Sequence, residues 1–66
     1  MNMVQINGEE YQFDNKKLVS FLEEHNYDKA RIAVEINEEI VPKANYDETV
    51  LMSGDVVEIV SFVGGG

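Results

Sequence analysis

Val56-Val57-Glu58-Ile59-Val60-Ser61-Phe62-Val63-Gly64-Gly65-Gly66 closes the chain, and its two halves have opposite requirements. From Val56 to Val63 the residues are mostly β-branched or aromatic and read as a buried strand. The three glycines that follow cannot hold a strand or a helix, because glycine loses the most backbone entropy on ordering and offers no side chain to pack. A rigid strand therefore runs into a thin thread that carries the terminal carboxylate and is narrow enough to enter a tunnel in another protein. A frayed terminus or a cloning remnant has the same composition, so the body of the chain has to decide between the readings. Glu58 orients the strand. A lone carboxylate is costly to bury, so Glu58 faces outward while Val57 and Ile59 face the core. The period of two then puts Val56, Val60 and Phe62 on the side of Glu58. Apolar side chains exposed together just before the glycines mark an interaction surface, unless another strand or a loop covers them.

Working outward, the N-terminal stretch Met3-Val4-Gln5-Ile6-Asn7 alternates apolar and polar. Asn7-Gly8 is a strong hairpin signal because both turn positions need positive φ. Residues 9–13 alternate again, so Val4, Ile6, Tyr11 and Phe13 are expected to face a core. Asp14 and Asn15 are candidate helix caps, since their side chains accept from the free amides of a first turn. Leu18, Phe21, Leu22 and His25 fall at i, i+3, i+4 and i+7, which predicts a helix over about 16–25 that stops at Asn26. Tyr27, Asp28 and Lys29 read as a connecting loop. Residues 31–36 return to strand pattern, with Ile32, Val34 and Ile36 on one face and Ala33 and Glu35 on the other. Asn37-Glu38-Glu39 is a turn, and Ile40-Val41 a short strand stopped by Pro42, which has no amide to donate. Residues 43–48 read as a loop or one helical turn around Tyr46, Thr49 to Met52 as a short strand, and Ser53-Gly54-Asp55 as the turn into the last strand. This order predicts an α+β fold, with one main helix packed on one face of a mixed four- to five-stranded sheet. Residues 1–63 form the domain and 64–66 a flexible tail.

Sixty-six residues make one small domain with a modest core. There is no cysteine, which excludes disulfides, thiolate zinc sites and a cysteine nucleophile, and fits the cytoplasm. No basic-then-apolar leader and no bilayer-length apolar run is visible. Thirteen acidic residues against five basic ones give a formal charge of −8, which argues against nucleic acid and favours basic partners. His25 is the only histidine and has no partner at metal or catalytic spacing, so it reads as a helix-end residue. Adjacent residues of a strand or turn point apart, so Glu38-Glu39 and Asp47-Glu48 read as solvated surface and not as metal ligands. No catalytic constellation or phosphate loop is present, and the chain is not expected to be an enzyme.

Three stretches carry a resemblance: Val34 to Pro42 (Val-Glu-Ile-Asn-Glu-Glu-Ile-Val-Pro), Ser53-Gly54-Asp55, and Val57 to Gly66. Together they resemble the sulfur carrier family of thiamine biosynthesis, ThiS, a ubiquitin-like β-grasp family. The likeness spans the whole chain and is strongest from residue 33 onward. It implies that Gly65 and Gly66 match the family's diglycine and that the Gly66 carboxylate is the working group. An adenylating enzyme of the ubiquitin-activating type (ThiF-like) would dock on Val56, Glu58, Val60 and Phe62. It would draw Gly64, Gly65 and Gly66 into its ATP site and join AMP to Gly66. A sulfur donor fed by a cysteine desulfurase would replace the adenylate and leave a thiocarboxylate, from which thiazole synthase (ThiG-like) takes sulfur. No cofactor is held stably, and ATP belongs to the partner. The same fold and tail suit the small subunit of molybdopterin synthase and carriers for tRNA thiolation or for cysteine or methionine synthesis. They also suit a non-covalent docking module whose tail does nothing.

Overall fold

Asn7 and Gly8 occupy the left-handed region, at φ 52° and 84°, and they fold the N-terminal strands back on each other. The computed structural model describes residues 2–13 and 15–62. β1 (Met3–Ile6) pairs antiparallel with β2 (Glu9–Gln12), with Val4 opposite Tyr11. β3 (Lys16–Lys17) leads directly into α1 (Leu18–Glu24). A 3-10 turn, Lys29–Arg31, precedes β4 (Ile32–Ile36) and β5 (Glu39–Ile40). A second 3-10 helix, Lys43–Glu48, precedes β6 (Val50–Leu51) and β7 (Val56–Ser61). The main sheet has the order β2-β1-β7-β4-β5, and β3 and β6 form a separate two-stranded ladder. β1 and β7 are parallel and the other pairs antiparallel, so the sheet is mixed.

The alternation in the sequence settles which face is inside. Val4 and Ile6 of β1, Ile32 and Val34 of β4, and Val57 and Ile59 of β7 are buried. Leu18, Phe21 and Leu22 of α1 close over them, with Leu51 and Tyr46 completing the core. Tyr11 and Phe13 pack on its edge, as the hairpin reading expects, and the Tyr11 ring meets Phe21 edge-on at 5.2 Å between centroids. Burial of this apolar surface is the main term holding so small a chain together.

Two local expectations are corrected. The helix does not begin at residue 16, and Asn15 does not cap it. Asn15 sits at φ 58°, and the cap position is Lys17, whose side chain makes no capping bond. Asp14, the other candidate, lies outside the described residues. The short ladder is the reason. Lys16 and Lys17 pair with Leu51 and Val50, and the Leu18 amide donates to the Thr49 carbonyl at 3.0 Å. A backbone acceptor on the neighbouring segment thus does what a capping side chain does elsewhere. At the other end Asn26 stops the helix at φ 62°, as expected. Around Tyr46 the helical one of the two readings holds, as the 3-10 helix Lys43–Glu48. The phenol is buried and the 3-10 helix that carries it packs against α1.

Candidate interaction surface and tail root

β7 lies in the middle of the sheet, and its outer edge of side chains is the candidate site. Val57 and Ile59 point into the core. Val56, Val60 and Phe62 are 42%, 58% and 49% exposed, and Glu58 lies open between them. Among the described residues no loop covers them, so the structure puts on one face the four positions singled out in the sequence. Register supplies further members that the sequence did not reveal. Ala33 lies opposite Val60 and Glu35 opposite Glu58. On the far side of β4, Ile40 lies opposite Glu35 and is 71% exposed, the most open large apolar side chain among the described residues. The signal for Ile40 was present in the turn. With Asn37 and Glu38 both at positive φ, a two-residue hairpin places residue 40 opposite residue 35, on the Glu58 side.

The face is therefore an apolar rim around an acidic centre. Glu35 and Glu58 are a directly opposed like-charge pair, an arrangement that costs stability in an isolated sheet. With Asn37, Glu38 and Val56 they line a shallow depression of about 500 Å³. Neither carboxylate has a basic partner among the ion pairs of the described residues, which are Lys16–Glu24, Lys29–Asp47 and Arg31–Asp28. Among the described residues, no group of three or more His, Cys, Asp or Glu is placed to hold a metal ion, and no helix is long and apolar enough to cross a membrane.

Two asparagines hold β7 in place from either side. The Asn7 amide still donates to the Val57 carbonyl at 2.9 Å, and the Asn7 side chain then continues the ladder. It accepts from the Ile59 amide at 2.7 Å and donates to the Ile59 carbonyl at 3.1 Å. On the other side Asn37 accepts from the Val56 amide at 2.9 Å and donates to the Asp55 carboxylate at 3.0 Å. Asp55 in turn accepts from the Met52 amide at 2.9 Å, closing the turn at Gly54. Asn37 and Asp55 belong to the stretches that carry the family resemblance, and here they act as structural fasteners.

The exit of the strand is also fixed. The Phe62 amide donates to the Arg31 carbonyl at 2.9 Å, one residue past the last strand pair, Ile32 with Ser61. The Lys43 Nζ lies 5.7 Å from the Phe62 ring centroid and donates to the carbonyls of Lys29 (3.0 Å) and Ile32 (3.4 Å). Lys43 sits in a polar stretch with no pattern of its own, and nothing in the sequence pointed to it. Gly64, Gly65 and Gly66 lie outside the described residues. His25 stacks on Phe21 at 4.1 Å, at the end of α1 and away from this face.

Comparison with known proteins agrees with the geometry. Residues 4–66 match the ThiS family. The sulfur carrier protein ThiS of Bacillus subtilis is 38% identical over 66 residues, covering 97% of this chain and all of that one. A thiazole synthase of Paramagnetospirillum magneticum is 47% identical over 62 residues, covering 92% of this chain, which spans only 19% of that protein's length. The crystal structure of a thiamine biosynthesis protein (ThiS) from Geobacter metallireducens superimposes with a TM-score of 0.77 at 28% identity, covering 97% of this chain and 99% of the other.

Proposed function

This chain belongs to the ThiS family, and from that premise we propose how it works as a sulfur carrier of thiamine biosynthesis that is itself no catalyst. The observation that carries the mechanism is continuity: the exposed side chains of β7 run without interruption to Phe62, four residues before Gly66. A partner that grips Val56, Val60, Phe62 and Ile40 holds the base of the tail in the same grip. The Glu35–Glu58 pair selects for a partner that brings a basic side chain to the middle of an apolar patch. Pairing there removes the repulsion between the two carboxylates, so charge supplies specificity and apolar contact supplies affinity.

The chemistry needs only the terminal carboxylate from this chain. An oxygen of the Gly66 carboxylate attacks the α-phosphorus of ATP in the partner, and pyrophosphate leaves. The carboxylate, whose leaving group would otherwise be oxide, becomes a mixed anhydride. The terminal sulfur of a donor persulfide, charged by a cysteine desulfurase, attacks the carbonyl carbon, and AMP departs with the C–O electron pair, leaving an acyl disulfide. A thiol then attacks the donor's sulfur of that disulfide, so the thiocarboxylate leaves with the S–S electron pair and the thiol and the donor are left joined as a disulfide. Glycines at 64 and 65 suit this traffic because a Cβ would widen the thread. Thiazole synthase is the natural acceptor, since one such enzyme contains a segment similar to this chain, and shared architecture in one polypeptide is a route to high effective concentration.

Intact-protein mass spectrometry tests the proposal. After incubation with ATP, the adenylating enzyme and a sulfur source, part of the protein should gain the mass difference between a sulfur and an oxygen, located to Gly66. An unchanged mass would refute the carrier mechanism. Deleting Gly65 and Gly66 should abolish the gain, whereas a docking module would keep its function.

A further inference from the structure

We propose that Lys43 is a positioning residue that sets the direction in which the C-terminal tail leaves the sheet. This rests on the tail being the working part, as argued above. The Lys43 ammonium joins two backbone carbonyls and an aromatic ring where β7 ends. It donates to the carbonyl of Lys29 in the 3-10 turn and to the carbonyl of Ile32 at the start of β4, and it lies over the ring of Phe62. The ring contact is within the range of a cation–π attraction. The Phe62 amide is separately tied to the carbonyl of Arg31, which directly precedes Ile32 in the chain. Phe62 is thus held by its backbone on one side and by its ring on the other. It lies one residue past the last strand pair, outside the buried core cluster, with a side chain that is 49% exposed. Without Lys43 the ring would lose its cation contact and the two carbonyls a donor.

Distance separates this role from catalysis. Gly66 lies four residue steps beyond Phe62, and an extended chain covers about 3.3–3.6 Å per step, roughly 13–14 Å in all. With the tail extended into a partner's site, the Lys43 ammonium stays at the mouth and does not reach the carboxylate or the adenylate. Its effect is on how often the carboxylate arrives in line with the α-phosphorus. Small errors of placement at a reacting atom cost large factors in rate.

The test treats the protein as a substrate of the adenylating enzyme and follows ATP–pyrophosphate exchange. Wild-type protein must support exchange, and if it does not, the carrier reading fails before Lys43 is in question. Given wild-type exchange, Lys43→Met should lower kcat on the order of tenfold to a hundredfold while KM changes by a smaller factor, because Val56, Glu58, Val60 and Ile40 are untouched and only the Phe62 part of the face is loosened. Lys43→Arg, which can also donate to both carbonyls and lie over the ring, should restore most of kcat. Phe62→Leu, which removes the ring but leaves both carbonyl bonds, should lower kcat in the same direction if Lys43→Met fails to fold. Wild-type kcat in Lys43→Met would overturn the proposal. So would a raised KM at unchanged kcat, which would make Lys43 a docking contact, or a Phe62→Leu variant with unaltered kcat.

Discussion

Asn7 shows how much one side chain can carry in a chain of this size. It occupies a left-handed turn position that asparagine tolerates, and it also supplies one donor and one acceptor to Ile59, fifty-two residues away. Asn7→Gly keeps the turn and removes both bonds. It should cost about 1–3 kcal/mol, the range for leaving partly buried backbone groups unmatched. Asn26 is the control. It sits at φ 62° after α1 with only backbone hydrogen bonds in view, so Asn26→Gly should change stability by less than about 0.5 kcal/mol. Denaturant unfolding of both variants checks this, and equal losses would show that Asn7 matters only for its backbone angle. The turn at Asn7-Gly8 was legible in the sequence because its chemistry is local. The bond to Ile59 was not, because it depends on which strand comes to lie beside β1, and no local pattern encodes a neighbour half a hundred residues away.

At the scale of elements, β7 separates stability from recognition by alternation. Ile59 is buried and Val60, next to it, is open. Ile59→Ala should cost roughly 2–5 kcal/mol through lost burial and a cavity. Val60→Asp should leave the melting transition near that of the wild type and abolish the docking of an adenylating enzyme proposed above, by setting a third carboxylate beside Glu35 and Glu58. Thermal melts paired with a binding titration decide this, and a Val60→Asp protein that still bound would remove β7 from the interface. This division was readable in advance, since Glu58 alone fixed which side faced out. The four positions Val56, Glu58, Val60 and Phe62 followed from it. Elements whose existence depends on a partner were harder. Lys16-Lys17 has no apolar alternation and looks like a helix start, yet it is a strand because Val50-Leu51 pairs with it. Tyr46 stands alone in a polar stretch, and only the packing of its 3-10 helix on α1 reveals it as core. Ile40 needed the register of a hairpin.

Taken whole, the molecule holds one buried and one partly buried tyrosine, Tyr46 and Tyr11, that make its stability sensitive to alkali. Burial raises the Tyr46 phenol above its ordinary value, and a backbone hydrogen bond at Val34 offsets part of that; loss of hydration and then the Glu9 carboxylate raise Tyr11. A group whose folded pKa exceeds its unfolded one stabilises the fold fully below the unfolded pKa, and that contribution is lost as pH rises through the folded pKa. Unfolding free energy should therefore decline above about pH 10, the ordinary tyrosine value. Tyr46→Phe should be less stable at neutrality but flatter in that alkaline limb. An unchanged slope in denaturant melts would assign the decline to other groups. The strand order has a different outcome. Among the described residues β7 is the last strand in the sequence, and it fills the gap between β1 and β4, so the sheet has no centre until it arrives. Without it the β1–β2 and β4–β5 hairpins share no strand. The exposed face of β7 therefore exists only in the completed sheet, and a partner that reads that face reads the folded state as well.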